Sequence, residues 1–192
     1  MYYPLFLDIE GRECLVIGGG PVALNKVQQL LACGAQIKVV SPEFTPRFEQ
    51  LFSENGVEKY KSEIEEYLVE NDFENELLVI AATDNQQLNQ KIASTARKSG
   101  ALVNVVDCQQ LCDFIVPAVV HRGQLQIAIS SGGCSPALAA RLRRQLENKL
   151  APEVGRDVEL AGQIRQLIKR GIKDPELRRE ILLKLGALIK TE

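Results

Sequence analysis

The sequence predicts an α/β protein built on a doubly wound parallel sheet, followed by a β-hairpin and a run of helices. Three observations favour this class. Strand-like apolar runs alternate with helical patterns, a glycine-rich turn joins the first strand to the first helix, and the alternation stops after residue 113. We therefore expect three regions, with boundaries at 1–113, 114–150 and 151–192.

The elements of region 1–113 follow one another at short spacing. Strands are predicted at Glu13–Ile17, Gln36–Val40, Val57–Tyr60, Leu77–Ala82 and Ala101–Val106. Helices are predicted at Pro21–Cys33, Glu43–Asn55, within 63–75, and from Asp84 to Ser99. For the last helix, Asp84 is the expected N-cap, with Gln87 as its capping-box partner.

The pattern changes after residue 113. Ala118–His121 and Leu125–Ile129 flank a turn at residues 122–123, which predicts a hairpin. Helices are predicted at Pro136–Leu150, Glu153–Lys169 and Pro175–Lys190, and leucines recur every four residues in the first. A hairpin and amphipathic helices are too few to bury a full core, so we expect region 114–150 to mediate dimerisation.

Composition and charge exclude several classes of protein. Nothing in the net charge of −2 argues for binding to nucleic acid, and no apolar stretch has the length of a membrane span. The first residues lack the pattern of a signal peptide. The five scattered cysteines form neither a disulfide framework nor a metal motif, and the one histidine, His121, lies beside the hairpin turn. We expect a cytoplasmic protein with no metal site.

The glycine-rich turn carries the clearest functional signal. Gly18, Gly20 and Ala23 fit the spacing G-x-G-x-x-[G/A] between a strand and a helix, which indicates a Rossmann-type dinucleotide site. Gly18 permits a tight turn, Gly20 lets the backbone approach a pyrophosphate, and Ala23 lets the helix pack closely. Pro21 suits the first helical position, and the free N–H groups there attract an anion.

The end of the second strand favours NAD as the cofactor. Glu43 follows this strand and can accept a hydrogen bond from the ribose 2′-hydroxyl. Ser41 at the same turn leaves NADP open. No arginine follows directly, which favours NAD.

Residues with catalytic or substrate-binding potential follow later strands. Asp84 is best explained as a helix cap, whereas Asp107 ends the fifth strand, where ligands of such sheets bind. A carboxylate there can take a proton while a hydride leaves for a nicotinamide; an ordinary loop hydrogen bond is the alternative. Residues 130–136 resemble a second anion cradle, with Ser135 as N-cap and Arg141 downstream. An ordinary capped helix with a basic face is the alternative for that segment.

Six motifs in order carry a family resemblance. They lie at residues 18–23 with Lys26, 39–44, 81–84, 104–107, 113–118 and 130–136. Together they resemble precorrin-2 dehydrogenase, a family also found as the N-terminal part of fused sirohaem synthases. The resemblance is continuous from about residue 3 to 150. It implies a homodimer that oxidises precorrin-2, a polycarboxylate, to sirohydrochlorin with NAD⁺ as hydride acceptor.

The resemblance also implies roles for individual residues. Asp107 matches the catalytic aspartate of the family, and Ser131 matches a serine that lines the substrate cleft. Other expected substrate contacts are Gly132, Gly133, Ser135 and Arg141. The expected cofactor contacts are Gly18, Gly20, Pro21, Val22, Ala23, Pro42, Glu43 and Thr83. Relatives often carry Arg before the lysine at 26, where this chain has Asn25.

Two other functions stay open. Some members of the family also insert iron into sirohydrochlorin, with the same aspartate as the candidate base. A function of another class is a non-catalytic NAD-binding regulator. That reading needs an output module, and the sequence has neither a basic helix-turn-helix nor a membrane-linked segment.

Overall fold

The computed structural model describes residues 2–188, which divide into two compact units, one ending at Ile115 and one beginning at Val116. In the first unit, the strands are β1 (Glu13–Ile17), β2 (Gln36–Val40), β3 (Glu58–Tyr60), β4 (Leu78–Ala81) and β5 (Leu102–Val105). The helices are α1 (Pro21–Leu31), α2 (Pro46–Asn55), α3 (Ile64–Glu70) and α4 (Gln86–Lys98). The five strands pair in parallel in the order β3-β2-β1-β4-β5. This arrangement confirms the predicted doubly wound α/β fold.

Each face of the sheet carries its own hydrophobic core. Successive side chains of a strand point to opposite faces, so Cys14 and Val16 of β1 pack under α1 and α2, and Leu15 and Ile17 pack under α3 and α4. All four of these side chains are fully buried. Burial on both faces explains why β1 and β4 read as continuous apolar runs.

Two helices begin later than the sequence predicts. The N-cap of α4 is Asn85, whose side chain accepts a hydrogen bond from the Leu88 N–H at 3.1 Å, so the prediction of Asp84 as the cap is wrong. Asp84 is exposed, one residue before the cap. Helix α2 begins at Pro46 rather than Glu43, because residues 41–45 form a separate turn that bonds to the glycine loop.

The second unit contains a hairpin and three helices. Strands β6 (Ala118–Arg122) and β7 (Leu125–Ile129) pair antiparallel, and α5 (Pro136–Lys149), α6 (Glu153–Gly171) and α7 (Pro175–Leu188) follow. The hairpin turn packs against α6 at Gly155, where a Cβ would lie 2.8 Å from the Arg122 carbonyl carbon. The Arg122 guanidinium donates to the Leu150 and Glu147 carbonyl oxygens at 3.0 and 2.6 Å, which ties the hairpin to the end of α5. No helix within residues 2–188 combines the length and apolar character of a membrane span.

Candidate active site

Two glycines hold the β1–α1 turn against the neighbouring loops. Gly18 has a φ of 130°, and a Cβ there would collide with the Ala82 carbonyl group. A Cβ on Gly19 would collide with the Glu43 carbonyl oxygen and lie 2.8 Å from the Ser41 hydroxyl oxygen. Sequence reasoning missed Gly19, because the dinucleotide motif leaves this position free. The only sign of this requirement in the sequence is that Gly19 stands within a run of three consecutive glycines.

Gly20 and the start of α1 leave a space that suits a pyrophosphate. Gly20 is the N-cap of α1, and a Cβ at this position would meet no protein atom within 4 Å. The first backbone bond into the helix runs from the Leu24 N–H to the Gly20 carbonyl at 3.0 Å. The N–H groups that precede Leu24 at the start of α1 therefore have no carbonyl partner within the helix and remain available to an anion. The helix dipole also favours an anion at this end. Ala23 is fully buried, which lets α1 lie close to the sheet.

The β2–α2 turn lies directly against this loop. The Thr45 N–H donates to the Gly19 carbonyl at 3.1 Å, and the buried Ser41 hydroxyl donates to the Glu43 carbonyl at 2.7 Å. Pro42 is half-buried, whereas the Glu43 side chain is exposed. The turn thus fixes the main chain of Glu43 beside the glycines and leaves its carboxylate free.

The β4–α4 loop is fixed by a buried amide. The Thr83 hydroxyl donates to the Asn89 side-chain oxygen at 2.7 Å, and the Asn89 amide donates to the Thr83 carbonyl at 3.0 Å. Asn89 is only 6% exposed, so this reciprocal pair is shielded from water. The pair sets the position of Thr83 at the carboxyl end of β4.

Three of the predicted site residues line one cleft of about 320 Å³. Val22 comes from α1, Thr83 follows β4, and Asp107 follows β5. Asp84 and Cys108 line the same cleft. Val22 is 50% exposed, although it is apolar and lies on the first turn of a helix. A half-exposed apolar side chain beside an anion site and a carboxylate suits the nicotinamide end of a dinucleotide.

Asp107 holds a left-handed backbone conformation, which is uncommon for residues other than glycine. Its φ is 58°, in the left-handed region, within a turn that the Cys108 N–H closes by donating to the Val105 carbonyl at 3.2 Å. The side chain is exposed. Strained conformations of this kind cluster at functional sites, because the surroundings must enforce them.

The Cys112 thiol is one of the groups that enforce this turn. Its sulfur accepts from the Val105 N–H at 3.2 Å and lies 3.2 Å from the Val105 carbonyl oxygen and 3.3 Å from the Cys108 carbonyl oxygen, so the thiol contacts both ends of the turn. Burial raises the pKa of the Cys112 thiol, which keeps its proton available for donation. No sequence pattern indicates this role.

The two residues after Cys112 bind the same loop to β5. The Asp113 carboxylate accepts from the Val103 N–H at 3.0 Å and from the Arg97 guanidinium at 3.0 Å. The buried Asn104 amide donates to the Phe114 carbonyl at 2.9 Å. Residues 112–114 therefore close the loop that carries Asp107 by three consecutive attachments.

The predicted substrate-binding residues lie in the second unit. Gly132 and Gly133 have φ values of 64° and 88°, and the Ser131 hydroxyl accepts from the Ser135 N–H at 2.8 Å. Ser135 caps α5 by accepting from the Leu138 N–H at 3.3 Å. Arg141 is exposed on the second turn of α5. The segment is thus a tight glycine turn with serine hydroxyls and a helix N-terminus, the composition of an anion cradle.

Two models of known protein families match this chain. A family model described as NAD(P)-binding matches residues 5–118, more than half of the chain. The chain belongs to this family. A second model, described as sirohaem biosynthesis protein central, matches residues 122–149. The two matches cover the glycine turn, the Asp107 cleft and the segment that contains the Ser131 turn.

Individual relatives agree with these matches. A siroheme synthase from Nitrosococcus oceani is 39% identical over 178 residues, which is 93% of this chain and 37% of that protein. A siroheme synthase from Psychromonas ingrahamii is 40% identical over 184 residues, 96% of this chain and 38% of that protein. The chain thus spans less than half the length of these relatives. The solved structure of SirC, precorrin-2 dehydrogenase, superposes with a TM-score of 0.77 at 27% identity, covering 96% of this chain and 89% of that one.

Proposed function

We propose that the protein is an NAD-dependent dehydrogenase that oxidises precorrin-2 to sirohydrochlorin in sirohaem biosynthesis. One observation carries the proposal: Asp107, fixed in a left-handed turn, lines the same cleft as the first turn of α1 and the β4–α4 loop. The cleft therefore combines a dinucleotide-binding helix start with a positioned carboxylate. The likeness to SirC over nearly the whole chain supports the choice of substrate.

The oxidation removes one hydride and one proton from precorrin-2. NAD⁺, when bound, accepts the hydride and becomes NADH. The Asp107 carboxylate takes the proton from the substrate and, because it is exposed, releases it to water. The attachments of residues 112–114 hold the main chain of the loop that carries Asp107, so no reorganisation of the loop is needed during the reaction.

The β2–α2 turn supports NAD rather than NADP. The Ser41 hydroxyl is buried and donates to the Glu43 carbonyl, so it is not available to a ribose phosphate. The exposed Glu43 carboxylate can accept a hydrogen bond from a ribose hydroxyl and repels a 2′-phosphate. Pro42 and Glu43 remain the proposed cofactor contacts of this turn.

The glycine turn of the second unit supports binding of a polycarboxylate. Its serine hydroxyls, the start of α5 and the exposed Arg141 are groups that pair with carboxylates. Ser131, Gly132, Gly133, Ser135 and Arg141 remain the proposed substrate contacts.

The apolar surface of the second unit supports a homodimer. Among the described residues of α5, only Ala139 is buried, whereas Leu138 and Leu142 are 46% and 39% exposed. Leu160 and Leu167 of α6 are more exposed still. A second copy of this chain offers the matching leucine stripe, and sedimentation equilibrium at several concentrations tests the association. The scattered cysteines of the sequence favour the cytoplasm as its location.

Replacing Asp107 by Asn tests the assignment of the proton acceptor. Asp107→Asn keeps the side-chain shape and suits the left-handed turn, so we expect unchanged folding and NAD affinity. Turnover should fall by about 10²–10⁴-fold, the contribution of a general base. Asp84→Asn removes the other carboxylate of the cleft and is the matched control, expected to retain most of the turnover. Full activity of Asp107→Asn would remove Asp107 from this role.

A further inference from the structure

Lys26 lies on α1 beside the cleft. It follows Val22 by four residues, so the two side chains share one side of the helix, and Val22 lines the cleft. Helical side chains lean toward the N-terminal turn, which directs the lysine stem toward Val22. Lys26 is half-buried, unlike its exposed neighbour Asn25.

The Lys26 ammonium has no anionic partner within residues 2–188. None of the ion pairs there includes it, and no side-chain hydrogen bond reaches it. The Asp113 carboxylate, on the loop that Cys112 closes, is bound to Arg97. Burial lowers the pKa of Lys26. A half-buried ammonium without an anionic partner in the described residues is available to bind an anionic ligand.

We propose that Lys26 binds a carboxylate of the substrate at the wall of the cleft formed by α1. The inference rests on the proposed function, because a polycarboxylate is the ligand that supplies such an anion. A cofactor phosphate is less suitable, since Lys26 lies six residues after Gly20, about 9 Å further along the helix axis. The space in front of Gly20 is the pyrophosphate position.

The test compares Lys26→Met, Lys26→Gln and Lys26→Arg with the wild-type enzyme in steady-state oxidation of precorrin-2. The Met and Gln variants lose a charge-assisted hydrogen bond, so their KM for precorrin-2 should rise about ten- to hundredfold. Lys26→Arg keeps the charge and should retain most of the affinity. The dissociation constant for NAD, measured by calorimetry without substrate, should not change. Lys91→Met, at an exposed position on α4, is the control and should behave as wild type.

A stability measurement separates this role from a structural one. If the lysine serves the substrate, Lys26→Met removes an unpaired charge and should unfold at the same or a higher temperature than wild type. An unchanged KM in both Met and Gln variants would overturn the proposal. Weaker NAD binding with unchanged KM would assign the ammonium to the cofactor and also overturn it. Absence of NADH formation by the wild-type enzyme would instead refute the proposed function itself.

Discussion

The neighbouring glycines at 19 and 20 allow folding and cofactor binding to be tested separately. In Gly20→Ala, the new methyl group meets no protein atom within 4 Å, and the φ of −85° suits any residue. Alanine restricts the unfolded chain but is a poorer N-cap than glycine; these effects are each up to about 1 kcal/mol and of opposite sign. The free energy of unfolding should therefore change little. In Gly19→Ala, the methyl group collides with the Glu43 main chain, which costs about 1–3 kcal/mol.

For NAD binding, unlike for stability, we expect the larger effect in Gly20→Ala. The Gly20 methyl group occupies the space proposed for the pyrophosphate, so at least one charge-assisted hydrogen bond is lost, worth about 1.5–3 kcal/mol. Calorimetric titration with NAD should then show affinity lower by about tenfold or more. Urea unfolding of the same samples supplies the stability. Wild-type NAD affinity in Gly20→Ala, or destabilisation of that variant as large as in Gly19→Ala, would refute the assigned position of the pyrophosphate.

Two further predictions concern the thiols of Cys112 and Cys14. Cys112→Ala should lower kcat while leaving NAD affinity unchanged, because the thiol contacts both ends of the Asp107 turn. The loss of kcat should vanish in the Asp107→Asn background, and the exposed Cys33→Ala is the control. Equal losses of kcat in both backgrounds would contradict the coupling. Burial raises the pKa of Cys14 from 9.0 to about 11, so the folded state holds this proton more tightly than the unfolded chain. Stability should therefore fall as pH rises from about 9 toward 11, by about 2–3 kcal/mol from this group. Urea titrations should show a shallower decline in Cys14→Ala, and an identical slope would contradict the assignment.

The periodic pattern of the sequence was sufficient to predict the fold. Apolar runs with β-branched residues gave β1 and β2 with the bounds that the structure shows, because both strands lie between turn residues that end them sharply. The N-cap of α4 was harder to predict. Asp84 and Asn85 are both good caps by residue type, and only the structure shows that Asn85 accepts from the Leu88 N–H while Thr83 is bound to Asn89.

The candidate site was predictable where a local sequence pattern points to the residues. Gly18 and Gly20 belong to a spacing with a known physical purpose, and Asp107 follows a buried strand at the ligand-binding edge of the sheet. Gly19 is required by a contact with Glu43, which is distant in sequence, so no local pattern reveals it. The same holds for Cys112, whose role depends on its position over the Asp107 turn.

The most direct test of the central claim is an anaerobic assay of the purified protein with precorrin-2 and NAD⁺. We predict that NADH and sirohydrochlorin form together in equal amounts, and only when the protein is present. Adding Fe²⁺ to the product then reports whether the same protein also inserts the metal. Binding of NAD without any NADH formation from precorrin-2 would contradict the dehydrogenase assignment and favour a regulatory role for the bound dinucleotide.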